Sequence, residues 1–456
     1  MLEGLEIRES LFSETIKNKD FRIDSQFYTQ APIKNPFLKY KKIGDVLLAS
    51  QYGISIEMNE DGRGYPIYRM NELHNMLCDI DVNKFADISQ EEYKRFALKD
   101  RDVLFNRTNS FEWVGRTGVY YQNDSVERTF ASYLVRFNPI ESEIFPEYLC
   151  AFLNTKEGVR DIKRRARQSI NQTNVNPEEV KEIEIPILDK NFQLQIKEHF
   201  EIANSYRLRA QTLYKDAENM LLDELGLKGW QPNNNPVNIK YLKESFLASG
   251  RFDAEYYQSK YEDYTSFIRN YMNGTDALGN ICTLNEKNFN PVDNSEYKYI
   301  ELSNIGNSGE ITGCTTSIGA ELPSRARRLV RTNDVIVSSI EGSLQSVALV
   351  TEEYDKSICS TGFYVVKSDT INPETLLVLF KSEPMQNLLK QGCSGTILTA
   401  IGRNEFQSIV MPKIKNEVQT EIAECVKKSI SLRNEAKRLL EEAKMMVEKE
   451  IEKGGE

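Results

Sequence analysis

Two periodicities of hydrophobic positions divide this chain. Short β-branched runs bounded by turn residues recur in each half: DVLF (102–105), YLVRF (133–137) and IEIPI (183–187), then DVIVSSI (334–340), FYVVK (363–367) and SIVMP (408–412). Such runs predict strands. Residues 146–166 and about 373–391 read as helix between them, so each half is predicted to be α+β, a mixed α/β globule.

Each half then closes on a longer pattern. With Ile196 at position a of a heptad, Ile196, Ala203, Ala210 and Ala217 fall at a, and His199, Tyr206, Leu213 and Met220 at d. The second copy puts Ile422, Ser429, Ala436 and Ala443 at a, and Cys425, Leu432, Leu439 and Met446 at d. Small residues facing large ones let helices approach closely, and a strict seven-residue repeat keeps one seam turned to its partner. The two helices are therefore predicted to pack against each other along this seam. At about 1.5 Å per residue, some 35 residues reach roughly 50 Å, longer than covering one globule requires, so each helix reads as a spacer. After the first, ELGLKGWQPNNNPVNIKY (224–241) supplies a helix stop and a linker.

The two halves are copies of one unit. RIDSQFY (22–28) and RFDAEYY (251–257) share Arg-x-Asp-x-x-aromatic-Tyr. YPIYRMNEL (65–73) then matches YKYIELSNI (297–305), and LKDRDVLFN (98–106) matches VRTNDVIVS (330–338). SYLVRF (132–137) answers GFYVVK (362–367), PEYLCAFLNTKEGV (146–159) answers PETLLVLFKSEPMQ (373–386), and Pro186 and Ile196 align with Pro412 and Ile422. A collinear series of this kind marks an internal duplication. The expected divisions are residues 1–190, a first globular domain; 191–227, its helix; 228–415, linker and second domain; and 416–456, the second helix.

Composition narrows the class. The chain has 456 residues, 40 % hydrophobic and 10 % aromatic, enough for a core in each unit. Its first residues, MLEGLEIRES, lack a basic stretch followed by an apolar run, and no apolar stretch approaches membrane-spanning length, which predicts a cytoplasmic protein with no membrane partner. Seven single cysteines without a Cys-x-x-Cys pair read as reduced core residues. The net charge of -10 argues against nonspecific coating of nucleic acid but permits reading DNA through local basic loops.

Catalytic chemistry has little to stand on. The only histidines are His74 and His199, and His199 lies on the heptad seam, so a His-based triad or His/Cys zinc site is not expected. Phosphate-loop and dinucleotide fingerprints are absent from the sequence. Asn35-Pro36-Phe37 falls one proline short of an amino-methyltransferase tetrapeptide, and Glu92-Tyr93-Lys94 reads as a solvated helix face rather than a nuclease remnant. The chain is thus expected to be non-catalytic, with no bound metal or cofactor.

What remains is polar loop surface. The stretch after DVLF offers Asn106, Arg107, Thr108, Asn109, Ser110 and Arg116, and its counterpart offers Ser338, Ser339, Glu341, Ser343, Gln345 and Ser346. Arg and Asn or Gln pair with guanine and adenine edges, and Glu accepts from cytosine. A second segment in each unit ends in small polar residues: Ser169, Asn171, Gln172 and Thr173 in the first, Ser394, Thr396 and Thr399 in the second. Basic residues precede these or their strands. Lys163, Arg164, Arg165 and Arg167 in the first unit, and Arg325, Arg327 and Arg328 in the second, are expected to contact phosphate.

These features together resemble the DNA specificity subunit of type I restriction-modification systems, over essentially the whole chain. The residues carrying the resemblance are Asp102-Val103-Leu104 with the polar stretch to 118, SINQTNVNPEEVKEIEIPIL (169–188) running into Gln195-Ile196, and the second succession ending IVMPKIKNEVQTEI. The second unit departs from the pattern where RTNS becomes SIEG and SINQT becomes SGTILT. The resemblance implies two tandem target recognition domains, spacer helices packed as an antiparallel coiled coil, and a bipartite double-stranded DNA site. It also implies two modification (methyltransferase) subunits using S-adenosylmethionine, and restriction subunits using ATP and magnesium, as partners. A recognition module of another phage-defence or methyltransferase-nuclease system, and a coiled-coil adaptor binding only proteins, are the alternative readings.

Overall fold

The structure, a computed structural model, describes residues 9–17, 22–170, 172–233, 235, 237–285, 287–395 and 399–453. Two compact units partition the chain: Met1–Leu208 with Arg433–Glu456, and Arg209–Leu432.

In the first unit, the strand Val103–Asn106 is buried along its whole length at the centre of a six-stranded sheet. Leu134–Pro139 flanks it on one side, with Leu47–Tyr52 beyond; Thr117–Val119, Leu77–Cys78 and Leu73–His74 follow on the other. The strand is entered through a tight turn: Arg101 has φ 66°, and the Asp102 carboxylate accepts a hydrogen bond from the Lys99 amide at 2.9 Å. The second unit repeats this construction. Val335–Ser338 lies between Phe363–Ser368, with Cys282–Leu284 beyond, and Val347–Leu349. Asn333 has φ 71°, and Asp334 accepts from the Arg331 amide at 2.8 Å.

The smaller sheets repeat as well. Tyr65–Tyr68 pairs in parallel with Thr129–Phe130, as Glu296–Ile300 does with Ile358–Ser360. Tyr40–Lys42 pairs with Glu184–Pro186, as Thr275–Ala277 does with Val410–Pro412. The duplication seen in the sequence is therefore a duplication of strand order and direction.

Each single helix predicted at 146–166 and 373–391 is two helices. Pro146–Leu153 and Lys156–Arg165 are separated where Thr155 turns to cap the second, its hydroxyl accepting from the Gly158 amide at 3.1 Å. Pro373–Lys381 and Glu383–Gly392 break at Ser382, just before Pro384, which supplies no amide to continue the first helix. A buried glutamine ties each long helix to the first helix of its pair. Gln193 accepts from the Phe145 amide at 3.0 Å and donates to the Leu188 carbonyl at 2.9 Å, while Gln419 accepts from the Asn372 amide at 2.8 Å and donates to the Ile414 carbonyl at 2.9 Å.

The long helices are Lys190–Glu224 and Asn416–Lys453, of 35 and 38 residues. The small a positions are all buried: Ala203, Ala210 and Ala217 beside Ile196, and Ser429, Ala436 and Ala443 beside Ile422. The d positions are not their buried companions. His199, Tyr206, Leu213, Met220, Cys425, Leu432, Leu439 and Met446 are half-buried, while Phe200, Tyr214, Leu221, Val426, Leu440 and Val447, each four residues after an a position, are buried. The stripe turns because each helix covers a globular core as well as its partner. In the first unit, Ile196, Phe200 and Ala203 share one core with Ala436, Leu440, Ala443 and Val447, and with the sheet residues Val103 and Phe105. In the second, Tyr214, Ala217 and Leu221 share a core with Ile422 and Val426, and with Val335 and Val337. There the Ser429 hydroxyl donates to the Ala210 carbonyl at 2.6 Å. The start of one long helix thus packs with the end of the other, as antiparallel helices do. For the same reason the compact units divide both helices near their middles, whereas the sequence-based divisions followed the ends of the elements.

Five of the seven cysteines are buried; Cys314 and Cys425 are half-buried, and all seven are free thiols. Among the described residues, no helix is long and apolar enough to cross a membrane.

Candidate nucleic-acid interface

In the first unit, the two polar segments meet in a three-stranded ribbon, with Thr173–Asn174 between Thr108–Asn109 and Arg167–Gln168. The Thr108 hydroxyl donates to the Asn174 side-chain oxygen at 2.6 Å. Beyond the ribbon, the Ser110 carbonyl accepts from the Trp113 and Val114 amides, closing the loop tip. Gly115 returns the chain at φ 93°, and a Cβ there would lie 2.6 Å from Ile162 Cγ2, so this turn requires glycine.

This scaffold sorts the residues expected to face DNA. Ser110, Ser169 and Gln172 are exposed; Arg107, Asn109 and Arg116 are half-buried. Thr108 and Thr173 are instead buried within the ribbon, so both are removed from the contact set and assigned to its construction. Asn106 is also buried, at the end of the central strand, where its side-chain oxygen lies 3.3 Å from the Thr108 amide. Asn171 falls outside the described residues. The Arg116 guanidinium stacks 3.5 Å from the centre of the Trp113 ring, and that of Arg107 lies 5.2 Å from the centre of Tyr52. Burial lowers the pKa of Arg116 from its ordinary value.

Aromatic residues around this loop were missed by sequence reasoning. Phe111, Trp113, Tyr52 and Tyr133 are 39, 42, 45 and 37 % exposed, unusual for large rings. The available signal was their interleaving with basic residues, as in RTNSFEWVGR.

The basic run must be largely reassigned. The Lys163 ammonium donates to the carbonyls of Phe111, Glu112 and Val114, and burial lowers its pKa to about 8. Arg164 pairs with Asp161 and donates to the Phe27 carbonyl at 2.8 Å; Arg165 is buried against the same aspartate at 3.0 Å. These three cations lie in the last turn of the helix Lys156–Arg165, where positive charge complements the helix dipole, and their bonds are made within the unit. Arg167 has an exposed side chain, 3.1 Å from Glu179.

The second unit joins its two polar segments more simply. Ile340 bridges to Ala400, the Glu341 amide donates to the Thr399 carbonyl at 3.0 Å, and Cys393–Ser394 pairs with Ala400–Ile401. Ser338 is fully buried, 3.0 Å from the Ser343 hydroxyl, and therefore leaves the contact set. The hydroxyls of Ser339 and Ser346 donate to the carbonyls of Gly362 and Leu302. Gln345 and Ser394 are exposed; Glu341, Ser343 and Thr399 are half-buried, and Thr396 falls outside the described residues. Arg325 is exposed and paired with Glu301 at 3.0 Å, Arg327 donates to the Ser324 carbonyl, and Arg328 donates to Asn288.

Among the described residues, no group of His, Cys, Asp and Glu is placed to hold a metal. Glu92 belongs to a capping box with Ser89 on an exposed helix turn, matching its reading as a solvated face.

Residues 38–203 match the family model described as type I restriction modification DNA specificity domain. A Methanocaldococcus jannaschii protein described as a type I restriction enzyme MjaX specificity subunit is 26 % identical over 179 residues, covering 38 % of this chain and 42 % of that protein. The type I restriction enzyme EcoKI specificity subunit of Escherichia coli is 25 % identical over 185 residues, covering 40 % of this chain and 39 % of its own length. The matched part thus spans less than half of either relative. Among solved structures, the S subunit of the type I restriction-modification system from M. genitalium aligns over 94 % of this chain and 98 % of its own, with 11 % identity and a TM-score of 0.40. The HsdS subunit from Thermoanaerobacter tengcongensis aligns over 94 % and 100 %, with 10 % identity and a TM-score of 0.31.

Proposed function

We propose, because residues 38–203 match the type I restriction modification DNA specificity domain, that the chain is the DNA-reading subunit of a type I restriction-modification complex. Each unit reads one half of a split double-stranded site. The observation that carries this reading is the shared construction of the two units: each ends its buried central strand in a polar loop and joins that loop to a second polar segment. The first unit presents Arg107, Asn109, Ser110 and Arg116 beside Ser169 and Gln172; the second presents Glu341 and Gln345 beside Ser394 and Thr399. Different side chains on matched frames suit different base edges.

The chain performs no chemistry itself in this reading. Two modification subunits bring S-adenosylmethionine, restriction subunits bring ATP and magnesium, and the complex acts on cytoplasmic DNA. The acidic balance of the chain is compatible with that division, because partner subunits can supply much of the phosphate neutralisation. The test is co-expression with the neighbouring modification subunit, followed by mapping of methylated adenines. A split site with a fixed spacing is the expected result. Methylation without sequence preference, or at a short continuous site, contradicts the reading.

A further inference from the structure

We infer that Arg22 and Arg251 are positioning residues of the two DNA-reading units, so that each reader begins at its Arg-x-Asp segment rather than at the globular domain behind it. This rests on the DNA-reading function proposed above and extends it to residues outside the matched segment 38–203.

The repeated sequence RIDSQFY and RFDAEYY forms the same device twice. Arg22 Nε donates to Asp24 at 2.8 Å, and Arg251 Nε donates to Asp253 at 2.8 Å. Each guanidinium lies over the ring that follows, 4.7 Å from the centre of Phe27 and 4.4 Å from that of Tyr256. The next tyrosine returns to the arginine: Tyr28 donates to the Arg22 carbonyl at 2.6 Å, and Tyr257 to the Arg251 carbonyl at 3.0 Å. Held in this way, each arginine reaches a distant helix end. Arg22 donates to the carbonyls of Arg164 and Arg165 at 3.2 and 3.1 Å, and Arg251 to those of Gln391 and Cys393 at 3.4 and 2.8 Å. A return bond completes each clamp, from Arg164 to the Phe27 carbonyl at 2.8 Å and from Gln391 to the Tyr256 carbonyl at 3.1 Å.

The clamped carbonyls lie where helix gives way to the polar segment. Ala166 leaves the first helix extended and leads directly into Arg167–Gln168 of the ribbon; Cys393 opens the corresponding strand Cys393–Ser394. In the first unit, Glu179 joins the two regions, accepting from Arg22 at 3.4 Å and Arg167 at 3.1 Å. The arginine side chains are only 11 and 15 % exposed, so water is a poor substitute for either. Lysine is no replacement, because one ammonium lacks the planar fork that holds a carboxylate and two carbonyls together. Loss of the fork frees the departure angle of the segment carrying Ser169 and Gln172, or Ser394 and Thr399, without altering those residues themselves.

Selection of duplexes from a randomised pool by the full-length protein, co-expressed with its modification subunit, tests this. Arg22→Lys should reduce discrimination in the first unit's half-site about tenfold, the size of one lost base contact, and leave the other half-site unchanged. Arg251→Lys should do the reverse. Tyr28→Phe, which removes the hydroxyl bonds to the Arg22 carbonyl and to Thr15 but keeps the guanidinium, should weaken the first half-site by a few-fold and serves if Arg22→Lys does not fold. Full selectivity retained in the folded variants, equal loss in both half-sites, or a lowered melting temperature with base preference intact would overturn the inference. If the unsubstituted protein enriches no motif, the DNA-reading function itself fails; if it enriches a split motif that these substitutions leave untouched, only the clamp's role fails.

Discussion

The two polar loops stand on matching frames and carry opposite chemistry. The first, residues 107–116, exposes Phe111 and Trp113, stacks Arg116 on one of them, and is held from below by the three carbonyl bonds of Lys163. The second, residues 339–346, turns inward. Leu344 is buried, the hydroxyls of Ser339, Ser343 and Ser346 bond within the unit, and Lys381 donates to the Gln345 carbonyl. The frame depends on backbone groups and on a few side chains that bond to backbone, such as Asp102 and Asp334 or Gln193 and Gln419. The loop tips bear little of that load, so their side chains can diverge without disturbing the strands beneath.

The largest expected effect strikes the frame common to both units. Ala203 and Ala217 are both fully buried, in the first and second cores respectively. Ala203→Leu and Ala217→Leu should each overpack its seam and cost about 3 kcal/mol. Hydrogen exchange should place the loosening in Val103–Asn106 for the first and Val335–Ser338 for the second. Equal loosening of both strands by either substitution would show that the two cores do not respond separately. Next in size is the difference in loop support. Lys163→Met removes the donor from three carbonyls and should cost about 2 kcal/mol, within the range for stranded polar groups. Exchange should rise at the amides of Trp113 and Val114. An unchanged urea midpoint would show that solvent satisfies these carbonyls as well as the ammonium does.

At the tips the effect should appear in recognition rather than stability. Arg116→Ala and Gln345→Ala should each cost about 1.5 kcal/mol at one base position, in different halves of the site. Methylation of a mismatch library reads both outcomes. A change confined to overall affinity, uniform across sequences, would assign the side chain to the phosphate backbone instead.

The sequence made the frame more legible than the tips. Strands and duplication were readable because alternating apolar runs and buried Asp, Gln and Pro positions recur in order. The small a stripe was readable too, but its large companions were assigned to d, and the structure buries Phe200, Tyr214 and Leu440 instead. A heptad describes a helix facing one partner, whereas these helices face a partner and a core. The basic run shows the same limit: the sequence contains the cluster Lys163, Arg164 and Arg165 but not its intramolecular partners, which the fold supplies as carbonyls and an aspartate at a helix C-terminus. Phe111 and Trp113 were passed over because aromatic residues normally signal core, and only tertiary structure shows which ones the core leaves out.

The smallest predicted effect concerns the repeated clamps. The hydrogen bond from Arg251 holds Asp253 below its ordinary value of 3.8, against the opposing effect of burial. For Asp24, burial pushes the value upward, but the hydrogen bond and charge of Arg22, together with backbone hydrogen bonds, outweigh it and the net shift is again downward. A carboxylate with a depressed folded-state pKa contributes stability that is fully present above its unfolded value and is lost as pH falls through the folded one. The clamps should therefore be intact at neutral pH and lose their contribution below pH 3.8. Both carboxylates are nearly half exposed, so solvent screening should keep each contribution under about 1 kcal/mol. Urea unfolding of Asp24→Asn and Asp253→Asn, each compared with the unsubstituted protein, should show a constant deficit above about pH 5 that closes as the acid range is entered. A deficit that persists unchanged at pH 3 would mean that the carboxylate charge contributes nothing and that the asparagine costs stability through geometry alone. A deficit in only one of the two variants would show that the matched distances conceal clamps of unequal strength.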